Sequence, residues 1–475
     1  MAKFQKFVLI KNFFIKNWRE VLLTVLIIFL GNRLREFSYA SVPLPGETAD
    51  EYSFAWLGIS LIKDRYPIAW SGLSAYKSHD YQRINVDGIY DENKDPNREP
   101  FSIDKPWFDH PPLFGLMIGG YGYLKGVRDF KDASVIIIRR PMLKIALFSS
   151  ILLYVLARRL YGKTIAFFSL ILYSVTPSLV ISSRLVLAEN ALVPLFLLTA
   201  ILFNEYVSNE KRKYLFVAYG VCFISMWVKL SSMASILALF LLGLWHSKQK
   251  FVHLKIAGLT FLLFFISYVL YGALFGIDTF FAVLKANSQR IFGAGAEIFY
   301  SALMQHKITN LRYLTDGWII VFWISFFVTC LEIKNGFSNR FIPLIFVVSY
   351  LFVFLIFGSE SYGWYRYPFY PFLIIIFSSY VYKLWKRADI ISFSAVALIP
   401  FGTAFHRLVG IEGFEQYVFS FRLNVVFLIF LTCLYLLKKN LSVIRAYMLA
   451  VIIFLVYISI KLVYFYDLGN WYFVT

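Results

Sequence analysis

The sequence predicts an all-α protein that crosses a membrane many times, and three observations carry this prediction. The chain has 475 residues, of which 59% are hydrophobic and 16% charged, whereas soluble domains average roughly 25% charged residues. The apolar residues fall in blocks, such as "IPLIFVVSYLFVFLIFG", close to the length of about 20 residues that a spanning helix needs. Short basic stretches separate the blocks, as is typical of loops between spans.

About 13 apolar blocks are expected to form transmembrane helices. Their approximate bounds are 21–40, 141–157, 164–181, 190–207, 214–230, 232–246, 254–274, 317–333, 341–357, 369–383, 390–405, 423–437 and 446–465. With the N-terminus in the cytoplasm, inward loops such as "NEKRK" each carry at least two Lys or Arg. The outward turns near 184, 230, 363 and 406–422 carry fewer, as the positive-inside rule requires.

These spans define the expected organisation of the chain. Its parts are a cytoplasmic N-terminus (1–20), a transmembrane module with a long outer loop (21–274, loop 41–140), a second outer loop (275–316), C-terminal transmembrane helices (317–465) and an outer tail (466–475). The basic start is expected to stay uncleaved, because charged "NRLRE" precedes the small residues "SYA".

The net charge of +19 does not indicate nucleic acid as a partner, because much of it lies in short loops beside spans. Positive-inside topology and anionic lipid head groups explain it. Cys222, Cys330 and Cys433 fall inside apolar blocks. This placement favours packing over disulfides or metal ligands.

The stretch "DHPPLFGL" opens an apolar run at 111–124 that is too short to span a bilayer. If the run crossed, every later basic loop would face outward, so it is predicted not to cross. Pro111 and Pro112 suit the first turn of a helix reaching about Gly120. The helix start, with His110, could hold a phosphate; the alternative is an interfacial helix with a merely solvated imidazole.

An acidic pair, Asp50 and Glu51, follows the first span. Phe54, Leu57 and Leu61 recur at helical spacing behind it and favour an interfacial helix. Asp50 therefore has two interpretations, a helix N-cap or a carboxylate that acts as a general base.

Two further clusters lie at outward turns. Arg184 and Glu189 are too far apart for an i,i+4 pair, although a turn could bring them together; the alternative is an Arg that snorkels beside a Glu near a helix start. Arg366 lies in "YRYPFYPF" between Tyr365 and Tyr367. An aromatic belt explains the tyrosines, and the lone Arg suits a phosphate.

The order of these motifs resembles that of the GT-C glycosyltransferases. An acidic pair after span one, an acidic-basic-Pro-Pro-Leu motif, an Arg and an acid after span three and a late "YRYPFYPF" all occur in sequence. The chain is most similar to the branch of protein O-mannosyltransferases and the lipid A aminoarabinose transferase. The motifs cover roughly residues 1–380.

This resemblance implies a catalytic module at 21–274 that moves a sugar, with inversion, from a polyprenyl-phosphate or dolichyl-phosphate donor. Transfer would occur on the extracytoplasmic face of the cell membrane, or in the ER lumen of a eukaryote. Asp50 would be the general base. The residues implied for donor phosphate or sugar binding are Glu51, Asp109, His110, Arg184, Glu189, Arg366, Tyr365 and Tyr367. His110 stands where the related branch often has Lys, and an unperturbed imidazole is mostly neutral at pH 7.

Several questions stay open at this point. The acceptor could be a protein, a lipid or a glycan, and membrane lipids surround the chain. No cofactor is indicated. A divalent metal is possible, although the sequence has no strict Asp-x-Asp motif that would favour one. Two other functions compete, a flippase for lipid-linked sugars and a polysaccharide polymerase or ligase. A transporter usually places ionisable groups near mid-membrane, and Lys229 is the main candidate for such depth.

Overall fold

The computed structural model describes residues 17–90, 97, 99–246, 250–289, 308–309, 312, 318–333, 338–357, 363–404, 416–438, 440–469 and 471. Helices lie at the predicted spans. They are α1 (Trp18–Glu36), α5 (Arg140–Tyr161), α6 (Lys163–Val175), α7 (Pro177–Ser182), α8 (Ala188–Asn209), α9 (Arg212–Val228), α10 (Met233–His246), α11 (Lys250–Phe275), α13 (Trp318–Leu331), α14 (Ile342–Phe357), α15 (Tyr370–Arg387), α16 (Ile390–Ala404), α17 (Gln416–Lys438) and α18 (Leu441–Asp467).

Five stretches within the described residues are long and apolar enough to cross a membrane by length and composition: Ala188–Asn209, Lys250–Phe275, Asn339–Ile356, Gln416–Leu437 and Leu441–Asp467. Shorter apolar helices accompany them. The predicted fold class, a polytopic helical membrane protein, is confirmed. The count of 13 spans and the domain bounds stay predictions.

The span predicted at 164–181 is two helices, not one. α6 ends at Val175 and α7 begins at Pro177, with Thr176 in an extended conformation between them. A residue before proline is driven out of the helical region by the pyrrolidine ring. The break places the short α7 next to the turn that carries Arg184.

The first outer segment holds three further helices and a small sheet. The helices are α2 (Asp50–Lys63), α3 (Leu113–Leu124) and α4 (Val135–Ile138). The sheet has β1 (Ala69–Trp70), β2 (Asp80–Gln82) and β3 (Phe101–Asp104), with β3 pairing antiparallel to both neighbours. The prediction of an all-α chain did not include this sheet, whose strands of two to four residues are too short to show a clear alternation.

The short run at 111–124 forms the helix α3, of 12 residues. At 1.5 Å per residue it is about 18 Å long, which is less than the ~30 Å hydrocarbon core of a bilayer. It packs on α2 so closely that a Cβ added at Gly119 would lie 2.5 Å from the Cα of Gly58. The segment from Glu51 to Ser60 of α2 is buried. Both predicted outer helices therefore exist, and their place at the membrane surface stays a prediction.

Ion pairs join helix ends that the topology places on the same side. Glu20 at the start of α1 meets Arg158 at the end of α5, at 2.6 Å. At the opposite face, Arg184 meets Asp467 at the end of α18, at 2.6 Å. An even number of crossings separates the members of each pair in the predicted topology, so these contacts agree with it.

The second outer loop begins with α12 (Ile277–Ser288), and residues 290–307 lie outside the described part. α12 packs against the first outer segment: Phe108 and Phe280 meet edge to face at 5.4 Å. The Asn287 side chain donates to the carbonyl oxygen of Asp109 at 3.2 Å. The two outer loops therefore form one layer on the outer face. All three cysteines are free thiols.

Candidate active site

The acidic pair lies where α2 begins. Ala49 occupies the N-cap position without a side-chain hydrogen bond, and Asp50 is the first helical residue. The N-cap interpretation of Asp50 is therefore wrong. The carboxylate is half-buried and lies in the first turn, where the partial positive charge of the helix end stabilises its ionised form.

Glu51 points into the protein and is fully buried. Its two oxygens accept from Nε and Nη2 of Arg139 at 2.8 and 2.7 Å, and Oε1 also accepts from the amide of Val186 at 2.9 Å. Arg139 donates in addition to the carbonyl oxygens of Tyr39 and Pro43. Glu51 was expected to bind the donor, but its oxygens are engaged by the protein itself. It fixes the start of α2 against the loop that leads to α8.

Sequence reasoning did not single out Arg139. Arg139 and Arg140 are adjacent in "IIIRRP", and nothing in the sequence distinguishes the roles of the two. In the structure Arg139 is fully buried, while Arg140 is exposed. One signal for Arg139 was available in the sequence. It is a basic residue directly before a span, on the predicted outer side, where such residues are sparse.

Asp109 and His110 also lie near the start of α2. The Asp109 carboxylate accepts from the hydroxyls of Ser71 and Tyr76, each at 2.7 Å. Burial, and then the neighbouring carboxylate, raise the pKa of the Tyr76 hydroxyl, which therefore stays a donor. The imidazole of His110 stacks on Phe54, one helical turn beyond Asp50, with centroids 5.4 Å apart. Both residues lie beside the start of α2.

Arg184 and Glu189, which a turn could have brought together, have different partners. Arg184 is fully buried and donates to both oxygens of Asp467, at 2.6 and 2.8 Å, and to three backbone carbonyls. That pairing fastens α18 to the turn after α7. The expected pair failed because a partner 283 residues away in sequence cannot be found from local spacing. Because the protein itself engages Arg184, this side chain does not fit the role expected for it in binding the sugar donor.

Glu189, in the first turn of α8, pairs with Lys229 at 2.5 Å. Lys229 has an extended backbone between α9 and a 3-10 turn at Leu230–Ser232, so its side chain leaves a break between two helices. Its Nζ lies 4.7 Å from the ring centroid of Tyr365. The pair thus joins two outward turns, and Lys229 is a site residue that sequence reasoning had assigned only to a possible transporter.

Arg366 closes a 3-10 turn, Gly363–Arg366, that packs against α8. Its side chain is 3% exposed, and Nη1 has no hydrogen-bond partner within the described residues. Burial lowers the pKa of this guanidinium from its ordinary value, with the nearby Tyr370 opposing that shift. The adjacent Tyr367 is buried. A buried cation is therefore left with a donor that no described residue uses.

The predicted residues fall into two neighbouring groups. Asp50, Asp109 and His110 surround the start of α2, and Glu189, Arg366, Tyr365 and Tyr367 surround the start of α8 together with Lys229. The bond from the Val186 amide to Glu51 joins the groups, since Val186 precedes Glu189 by three residues. Within the described residues, no three His, Cys, Asp or Glu side chains are grouped to hold a metal ion.

Comparison with known proteins shows which family and which folds the chain resembles. Residues 109–271 match the family model described as dolichyl-phosphate-mannose-protein mannosyltransferase. The fold resembles that of ArnT from Cupriavidus metallidurans bound to undecaprenyl phosphate, with a TM-score of 0.53 and 14% identity over 96% of this chain and 78% of that one. The chain therefore has the fold of the GT-C glycosyltransferases, and one segment of it resembles a family of mannosyltransferases.

A second GT-C structure supports the fold. The arabinosyltransferase EmbB from Mycobacterium smegmatis matches with a TM-score of 0.50 and 11% identity, over 94% of this chain and 41% of that one. No curated protein matches the chain by sequence. The resemblance to GT-C enzymes expected from the short motifs is confirmed. The segment that matches the family model begins at Asp109 and includes both Glu189 and Lys229.

Proposed function

We propose that this enzyme transfers a sugar from a polyprenyl-phosphate or dolichyl-phosphate carrier to a hydroxyl acceptor on the extracytoplasmic side of its membrane. The observation that carries the proposal is the buried Arg366 guanidinium with its unused Nη1 donor. Buried polar groups in proteins are nearly always paired. A planar guanidinium is well suited to the oxygens of a phosphate.

The surroundings of Arg366 support the same ligand. Lys229 supplies a second cation near Tyr365, and Glu189 holds that lysine in place. Aromatic rings beside the cations offer faces on which a sugar can stack. The family model names a dolichyl-phosphate-linked mannose donor, and the ArnT structure holds undecaprenyl phosphate, which supports a lipid-phosphate donor here.

The chemistry asks for two things, a base for the acceptor and cations for the leaving group. The acceptor oxygen attacks the anomeric carbon while its proton passes to the Asp50 carboxylate. The bond from the anomeric carbon to the phosphate oxygen breaks, and the carrier phosphate leaves with the electron pair. Arg366 and Lys229 stabilise that negative charge. A single displacement of this kind inverts the anomeric centre.

The positions of the remaining groups give them supporting roles. Glu51 and Arg139 hold the start of α2, so that Asp50 keeps its orientation. Ser71 and Tyr76 fix Asp109, and the His110 ring packed on Phe54 lines the same side of α2. We assign these residues to the donor pocket wall and its frame.

The test uses the purified full chain in detergent, a panel of radiolabelled polyprenyl-phosphate sugars, and membrane and protein fractions as acceptors. We expect transfer by the wild type and none by Asp50→Asn, with donor binding retained. Asp64→Asn is the matched control, because it removes a carboxylate just beyond the other end of α2 and should leave transfer unchanged.

Other results would change the conclusion. Normal turnover by Asp50→Asn would remove Asp50 as the base. If both the wild type and Asp50→Asn bind the donor but transfer its sugar to no acceptor, a flippase for the lipid-linked sugar would be favoured over a transferase. Elongation of a glycan in place of a single transfer would indicate a polymerase.

A further inference from the structure

A groove of about 320 Å³ lies at the outer end of the helices, between α1 and α5 and beneath the outer layer. Residues on its walls include Tyr39, Tyr121, Arg140, Leu143, Lys144 and Leu147. None of them belongs to the two groups of the candidate active site. Along α5 the two cations of the groove come before Leu147, and Asn32 and Glu36 line it from α1.

The order of cations and apolar residues in the groove follows from the spacing of side chains along one face of α5. Arg140, Lys144 and Leu147 are spaced at i, i+4 and i+7, which places them on one side of the helix. The distance from Arg140 to Leu147 along the axis is about 10 Å at 1.5 Å per residue. Ile151 continues the same face and is 41% exposed. A molecule that fits this face has an anionic head and an apolar body.

The cations are held in place by aromatic residues. Nε of Arg140 donates to the Tyr39 hydroxyl at 3.0 Å, and Nζ of Lys144 lies 5.2 Å from the ring centroid of Tyr121. Glu36 also lines the groove, but its carboxylate pairs with Arg33 at 2.7 Å. The charge left inside the groove is therefore positive.

We propose that this groove binds an anionic membrane lipid. The lipid phosphate lies between Arg140 and Lys144, and an acyl chain follows Leu143 and Leu147 toward the bilayer. The neighbouring residue Arg139 turns inward and holds Glu51. The lipid therefore sits one residue from the ion pair that positions the start of α2.

The test is native mass spectrometry of the full chain in detergent, titrated with phosphatidylglycerol or with phosphatidylcholine of the same acyl chains. We expect tighter binding of phosphatidylglycerol. The double variant Arg140→Gln/Lys144→Gln should bind it roughly thirtyfold more weakly, equal to about 2 kcal/mol, since each cation near an anionic lipid contributes about 1 kcal/mol. The matched control is Lys211→Gln/Lys213→Gln, which removes two exposed lysines at the start of α9 and should bind as the wild type does.

Two more measurements test whether the groove binds a whole lipid or only its head group. Leu147→Trp fills the apolar end and should weaken phosphatidylglycerol binding, while soluble glycerol phosphate should compete only poorly with the lipid. Equal binding of the two lipids, or equal losses in the test and control variants, would overturn the proposal. Strong competition by glycerol phosphate would also overturn it, because the site would then be a phosphate site. Binding is measured without turnover, so the result is independent of the proposed transfer reaction.

Discussion

The buried ion pair of Glu51 and Arg139 fixes the start of α2, and changing either member should destabilise the protein by a predictable amount. Both side chains are fully buried. Removing one partner of a buried pair costs about 3–5 kcal/mol, because the other charge is left uncompensated. Glu51→Gln keeps an oxygen for the Val186 amide, so we expect a loss near the lower figure.

Arg139→Met should cost more. It leaves the Glu51 carboxylate with the Val186 amide alone, and it removes two bonds to the carbonyl oxygens of Tyr39 and Pro43, each worth about 1 kcal/mol. The double variant Glu51→Gln/Arg139→Met should lose less than the sum of the single changes, with a coupling of roughly 2 kcal/mol.

The assay is denaturation of purified protein in mixed micelles, followed by far-UV circular dichroism, with the free energy of unfolding compared between variants. Glu332→Gln is the control, because Glu332 pairs with Lys383 at the surface, where the side chains are 41% and 50% exposed. An exposed pair is worth about 1 kcal/mol or less. Single changes that cost no more than this control, or a double change that is fully additive, would refute the reasoning.

Three further changes test other parts of the structure. Arg366→Lys keeps a charge but loses the planar fork, so kcat/KM for the lipid-phosphate donor should fall by roughly 10- to 100-fold, and a wild-type value would contradict the phosphate role. Gly58→Ala should cost about 1–3 kcal/mol of stability or prevent folding, because the new Cβ would overlap the backbone of Gly115. Gly120→Ala is the control and should be tolerated, because its Cβ would meet only Ile62, at 3.7 Å. Thermal unfolding of the two variants checks the difference. Burial raises the pKa of Asp104 to about 6. The folded state therefore holds a proton that the unfolded state has released, so stability should fall as pH rises from about 4 to 6 in the wild type, and by less in Asp104→Asn.

The positions of the helices could be read from the sequence because hydropathy is a local property. Each apolar block such as 342–357 forms a helix wherever it lies, since backbone groups in hydrocarbon must bond within the segment. The parity of the basic loops likewise predicted that the run before Leu124 does not cross. The one misjudged span, at Pro177, carries its own local signal in the proline.

The partners of the charged residues could not be read in the same way. Glu51 meets Arg139, Arg184 meets Asp467, and Glu189 meets Lys229, at separations of 88, 283 and 40 residues. Local spacing left open whether Arg184 meets Glu189, and the structure gives each of them a different partner.

The sequence by itself determined a polytopic helical protein and a motif order like that of GT-C enzymes, and it predicted that the acidic, cationic and aromatic residues collect at one face. Only the tertiary structure decided which of those residues hold the frame and which leave a donor unused. Glu51 and Arg184 are satisfied by the protein, and Nη1 of Arg366 has no partner among the residues that the structure describes. The reason is physical. A charge at a membrane edge always needs a partner, but which group supplies it depends on how distant helices pack.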